Sequence, residues 1–332
     1  RTVTLPDSTD TLIGTATSDA LTTRVNATGG RKNLIINGGF DVSQRGTSLA
    51  AASSYLADRW FNTTSGTQSR QTFTVGQTDV AHNPTYYYRQ VTGSTEWFET
   101  RQKIENVGIT AGRAVTLSYW MKGSSAFTNA PYQVQNFGTS GSSEVSAALS
   151  TASVTTSWAK YTHTFTPASV SGKTIGANNY LQIHVLRANI NNLTVEIANA
   201  QLEFGSVATD FEQRSYGEEL ALCKRYFEKQ TFPGESAITI GVADSGGGVK
   251  GDLHYSEKRA VPTVTIPSSG LNQMAFLRAD ANWPSTHGTF QASAIGNVSC
   301  RIRVQSGGGY VAGNASWLYN TPEKSFTFDA EL

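Results

Sequence analysis

In "DANWPSTHG", Trp283 is followed by Pro284, which restricts the backbone and favours a turn, and Asn282 and His287 beside it can hydrogen-bond hydroxyls. In "GGGYVAGNASWLYN", glycines clear space around Tyr310, Trp317 and Tyr319. A ring among such neighbours can stack on the apolar face of a sugar while the polar groups fix its hydroxyls. The same rings could equally pack against a neighbouring subunit. These six residues form the candidate glycan-binding set.

Other chemistries find less support. A glycosidase needs two carboxyl groups about 5 to 9.5 Å apart. Asp41, Asp58, Glu96, Glu99, Glu105 and Glu203 supply carboxylates, but their order places no two across a cleft, and solvated or turn-capping roles account for them. The segment "GGGVKG" satisfies G-x-G-x-x-G through Gly246, Gly248 and Gly251, yet a strand-like run ending at Pro262 follows it where a nucleotide-binding helix would have to begin. It reads as a hairpin loop. The five histidines lie far apart and Cys223 and Cys300 make no metal spacing, so no metal or cofactor is expected and both thiols read as buried and free. A net charge of +1 and 15% charged residues show no basic stripe for nucleic acid, and no apolar run approaches the roughly 20 residues of a spanning helix.

What must position these residues is mostly strand. In "RAVTLSYWMK" one face carries Val115, Leu117, Tyr119 and Met121 while Thr116, Ser118 and Trp120 point the other way. "YLQIHVL" and "LTVEIANAQL" alternate similarly, and "NLIINGGFD" reads as a first strand that kinks at its glycines, with Asp41 as a turn residue. Trp60, Trp120 and Trp158 sit in strand patterns and read as core, whereas Tyr86 to Tyr88, Trp97, Trp283, Trp317 and Tyr319 sit near turns. The exception is 215–229, "SYGEELALCKRYFEK", where Ser215 and Glu218 form a capping box and Tyr216, Leu220, Cys223 and Phe227 recur at helical spacing. That stripe packs either on its own domain or against identical helices around an axis; the latter predicts a homotrimer. The expected architecture is all-β. Residues 1–32 form a polar linker or shaft segment, 33–214 a jelly-roll β-sandwich, 215–229 a linking amphipathic helix, and 230–332 a smaller C-terminal β-sandwich domain. Arg1 and the polar run after it predict a chain that begins inside a longer polypeptide.

The ordered set "NLIINGGFDVSQRG", "YLADRWF", "VTLSYWMKG", "SWAKYTHTF" and "IANAQLEFGSVATDFEQRSYGEELALCKRYF" resembles the C-terminal part of tail-fibre and receptor-binding proteins of tailed bacteriophages and prophages. "NLIINGGFD" and "ANAQLE" are also similar to the paired first and last strands of jelly-roll carbohydrate-binding modules. The resemblance implies a virion component, homotrimeric, joined to other tail proteins and attaching to host cell-surface polysaccharide without catalysis, with the segment after residue 230 at the distal end. A purely structural virion protein and a polysaccharide depolymerase are the alternatives.

Overall fold

The computed structural model describes residues 31–50, 53–63, 66–93, 97–234, 236–243, 248–266, 274–278, 289–305, 312–313, 315–320 and 323–332. The chain divides into two compact units, the first ending at Tyr216 and the second running from Gly217 to Leu332.

The first unit is a jelly-roll β-sandwich. One sheet runs, edge to edge, through Ser48–Ala50, Thr67–Thr72, Tyr86–Val91, Thr194–Phe204, Val115–Gly123 and Ala159–Phe165. The other runs through Val145–Ala148, Tyr132–Asn136, Tyr180–Asn189, Trp97–Glu105, Phe61–Thr63 and Ser54–Tyr55. Period-two alternation decides what lies between them. Val115, Leu117, Tyr119 and Met121 from the first sheet meet Leu181, Ile183, Phe98 and Ile104 from the second in one core. Trp60 is fully buried there, its indole N–H donating to the Asn37 carbonyl at 2.8 Å.

The opening segment departs from its expected form. Residues 33–43 carry no strand. Asn37 and Phe40 take left-handed φ of 59° and 60°, which no strand tolerates, and the Asn37 side chain bonds the Val42 and Asp58 backbone. Gly38 lets this coil approach the long Thr194–Phe204 strand: a Cβ there would lie 2.1 Å from the Ala200 carbonyl oxygen. Ile35, Phe40 and Val42 still reach the core, so the apolar pattern was right and the backbone form was not.

The second unit holds a three-stranded sheet, Phe227–Phe232, Lys324–Asp329 and Thr263–Thr265, and a six-stranded one. Ser236–Ala243 and Gly248–His254 pair antiparallel, so Gly248 to Gly251 of "GGGVKG" stand in a strand and not in a loop, while Gly246 lies outside the described residues. The helix is shorter than expected, Tyr216–Lys224. Tyr226 N–H closes a turn onto the Cys223 carbonyl, and Phe227 opens a strand opposite Asp329, so the stripe is split between two elements. Tyr216 is 60% exposed while Cys223 and Phe227 are buried, so these four residues form no continuous outward face. Lys258 anchors the turn, donating to the Lys224 and Ser256 carbonyls and to Glu228 at 2.7 Å. Both cysteines are buried thiols outside any disulfide, and burial pushes the Cys300 thiol up to about 11. Among the described residues no helix is long and apolar enough to cross a membrane, and no His, Cys, Asp and Glu cluster fits a metal ion.

Candidate functional site

Because Leu181 and Ile183 point into the core, Tyr180, Gln182 and His184 lie on the opposite face of the second sheet, where neighbouring side chains cover Gln182 and His184 to 7% and 4% exposure. Register then lines up one row across five strands: Tyr132 opposite His184, His184 opposite Arg101, Arg101 opposite Phe61, Phe61 opposite Tyr55. Three of the four neighbouring pairs touch. Tyr132 meets the His184 ring edge-on at 5.8 Å, the Arg101 guanidinium lies 4.7 Å from the Phe61 centroid, and Tyr55 meets Phe61 edge-on at 5.1 Å. The arrangement sets His184 and Arg101 between the Tyr132 ring on one side and the Phe61 and Tyr55 rings on the other.

Glu99 is the electrostatic hub beside that row. Its carboxylate lies 2.9 Å from Arg101, 3.2 Å from Arg187 and 3.4 Å from His184 Nδ1. Burial alone would raise its pKa; the hydrogen bond with His184 and the charges of His184, Arg101 and Arg187 outweigh that and hold it below the usual carboxylate range. Gln182 Nε2 reaches His184 Nε2 at 2.7 Å, which fixes the ring from its other side. Glu99 is therefore an ionised, paired group and not a proton donor.

A bulge puts Arg187 in place. Between His184 and Leu186 the register with Trp97–Glu105 shifts by one, so Val185 and Leu186 are both buried and Arg187 joins the outer face. Asn129 satisfies the backbone that the bulge unpairs: its Oδ1 accepts from Arg187 N–H and its Nδ2 donates to the Val185 carbonyl, each at 2.9 Å. Asn129 also donates to Tyr119 Oη, which bonds His163 Nε2, while Ser150 holds His163 Nδ1. Burial lowers the His163 pKa and raises that of Tyr119.

Of the glycan-binding set read from the sequence, Trp283, Asn282, His287 and Tyr310 lie outside the described residues. Trp317 and Tyr319 stand in the strand Ala315–Asn320, paired on both sides, with Trp317 opposite Ile240 and Leu277. They occupy an internal strand and not a turn. Trp60 is core as expected, but Trp120 and Trp158 are half-buried outside it, Trp158 against Phe73 and Tyr87. Tyr88 is core, stacked on Phe40, not a turn residue. Among the candidate carboxylates, Asp58 accepts from Gln44 N–H and Glu203 from Thr209, structural roles; Glu96 lies outside the described residues. Sequence reasoning missed the row because its members are spread along the chain from Tyr55 to His184 and are neighbours only by sheet position.

No family model and no curated protein matches the sequence. Among solved structures, a Clostridium thermocellum xylanase 10B with CBM22-1 and GH10 modules, complexed with xylohexaose, is 9% identical over 55% of this chain and 30% of that one, with a TM-score of 0.35. The enzymatically active domain of tailspike protein 4 of bacteriophage CBA120 is 12% identical over 52% and 21%, also at 0.35. The N-terminal cellulose-binding domain of Cellulomonas fimi β-1,4-glucanase C is 17% identical over 51% and 95%, at 0.31. The chain thus spans less than a third of the first two.

Proposed function

We propose that this chain is a non-enzymatic attachment part of a phage tail fibre, binding host cell-surface polysaccharide across the outer face of the second sheet. The observation that carries this is the row Tyr132, His184, Arg101, Phe61, Tyr55. Rings offer apolar faces to sugar rings, and Arg101 between them, its side chain 27% exposed, offers hydrogen bonds whose orientation the Glu99 pair already fixes, which cuts the entropic cost of binding. The virion setting rests on the sequence motifs, and a homotrimer joined to other tail proteins belongs to the same reading. Binding of the whole chain to host cells with and without surface polysaccharide tests it, together with the double variant Arg101→Ala/Tyr132→Ala. Binding that disappears with the polysaccharide and with the double variant supports the proposal. Equal binding by the variant moves the contact elsewhere, loss of binding to every glycan leaves a structural virion protein, and release of reducing ends identifies a depolymerase. A monomer mass by light scattering at micromolar concentration would remove the trimer.

A further inference from the structure

The first sheet carries a separate cavity of about 190 Å³ on its outer face. Ser118, Trp120 and Asn199 line it from the sheet, Asp210 and Phe211 from the segment that follows the last strand, and His82 from a loop. Those walls are tied down. Glu203 accepts from Thr209 N–H at 2.9 Å and Oγ1 at 2.6 Å, Lys160 Nζ donates to the Thr209 carbonyl at 3.0 Å, and Gln201 Oε1 accepts from Glu212 N–H at 2.8 Å. Gln213 holds the loop by donating to the His82 carbonyl at 2.9 Å, and His82 Nε2 lies 3.4 Å from Asp210 Oδ1. The run "ANAQLEFGSVATDFEQ", the most specific part of the phage-like motif set, therefore builds this cavity, while the outer face of the other sheet does not use it.

One group here is unfinished. A bulge between Ala198 and Gln201 gives Asn199 a φ of 48° and leaves it 97% covered, with Nδ2 donating to the Ala81 carbonyl at 3.4 Å. That bond orients the amide, and Oδ1, buried in the cavity wall, receives no hydrogen bond. A buried acceptor without a donor is costly, so a hydroxyl supplied from the cavity would be favoured. Around it stand an indole, a carboxylate on Asp210, an ammonium on Lys160 and an imidazole on His82. A compound with one apolar face and hydroxyls round its edge answers all of them. The volume is below the roughly 300 to 1,000 Å³ of pockets for drug-sized ligands and suits a single ring.

We propose that this cavity is a second saccharide site that takes one terminal pyranose against the Trp120 indole, with Asn199, Asp210 and Lys160 bonding its hydroxyls. The choice of a sugar over another polyol rests on the glycan-binding reading above, but the residues are different ones. The test is titration of the whole ¹⁵N-labelled chain with D-glucose, D-galactose and N-acetylglucosamine, following the Trp120 indole N–H assigned with Trp120→Phe. One of these sugars is expected to move that resonance, and Asn199→Gly, which keeps the left-handed backbone while deleting the amide, should weaken binding about tenfold. Asp210→Asn should weaken it in the same direction without changing the melting temperature. No movement with any of the three sugars, or unchanged affinity in both variants, overturns the site. Arg101→Ala/Tyr132→Ala should leave this titration intact; a double variant that loses polysaccharide but keeps the Trp120 shift separates the two sites, and an intact polysaccharide response beside a silent Trp120 refutes this proposal alone.

Discussion

Replacing Arg101 by Met removes the centre of the aromatic row while keeping much of its aliphatic bulk. Two interactions go: the 2.9 Å pair with Glu99 and the guanidinium over Phe61 at 4.7 Å. Both side chains of the pair retain solvent contact, 27% for Arg101 and 14% for Glu99, so the ion pair contributes about 0.2 to 1 kcal/mol, and the ring contact about 0.5 to 1 kcal/mol. The stability loss of about 1 to 2 kcal/mol should lower the melting temperature by roughly 2 to 8 °C in a unit of this size. Affinity should fall further, because an arginine at the middle of a binding face costs about 2 kcal/mol or more when truncated, roughly thirtyfold in Kd. The pH dependence supplies a second readout. Glu99 has a folded pKa below its unfolded one, so its contribution is whole above about pH 4.3 and is lost as pH falls through the lower folded value. Arg101→Met raises that folded value, so a smaller pH-dependent contribution remains to be lost. Calorimetric titration with host polysaccharide and thermal melts from pH 3 to 7 measure both effects. Unchanged affinity at a lowered melting temperature would refute the role of the row in binding while leaving the electrostatics standing.

Other outcomes follow from single contacts. Asn129→Ala unpairs the bulge at Val185 and should cost about 1 to 3 kcal/mol while also weakening glycan binding through Arg187, seen as a lower denaturation midpoint with a raised Kd. His163 is held neutral by burial, its folded pKa below the unfolded value near about 6.5; its stabilisation is complete above that pH and lost below it, so His163→Gln should flatten the acid side of the stability curve. Gly38→Ala places a Cβ against the Ala200 carbonyl and should destabilise by about 1 to 3 kcal/mol in chemical denaturation. Lys258→Met strands a buried Glu228, whose pKa the pair holds down, and should cost about 3 to 5 kcal/mol, largely recovered by adding Glu228→Gln.

Local alternation determined much of this protein by itself. "VTLSYWMK" separates Leu117, Tyr119 and Met121, which are fully buried, from Trp120, which is not, because successive side chains on a strand face opposite ways whatever the strand pairs with. The outward place of Trp120 was therefore legible, even though its size argued for the core. Tertiary structure decided the rest. Phe227 continues a helical spacing from Tyr216, yet pairing with Asp329 in a strand outcompetes another turn of helix. "NLIINGGFD" keeps its apolar pattern but coils, since the side-chain bonds of Asn37 and the contact of Gly38 with Ala200 exist only once the sandwich has closed. The row from Tyr132 to Tyr55 has the same origin. Its members meet through cross-strand register and a bulge completed by Asn129, and register is a property of strand pairs, carried by no single segment of the chain.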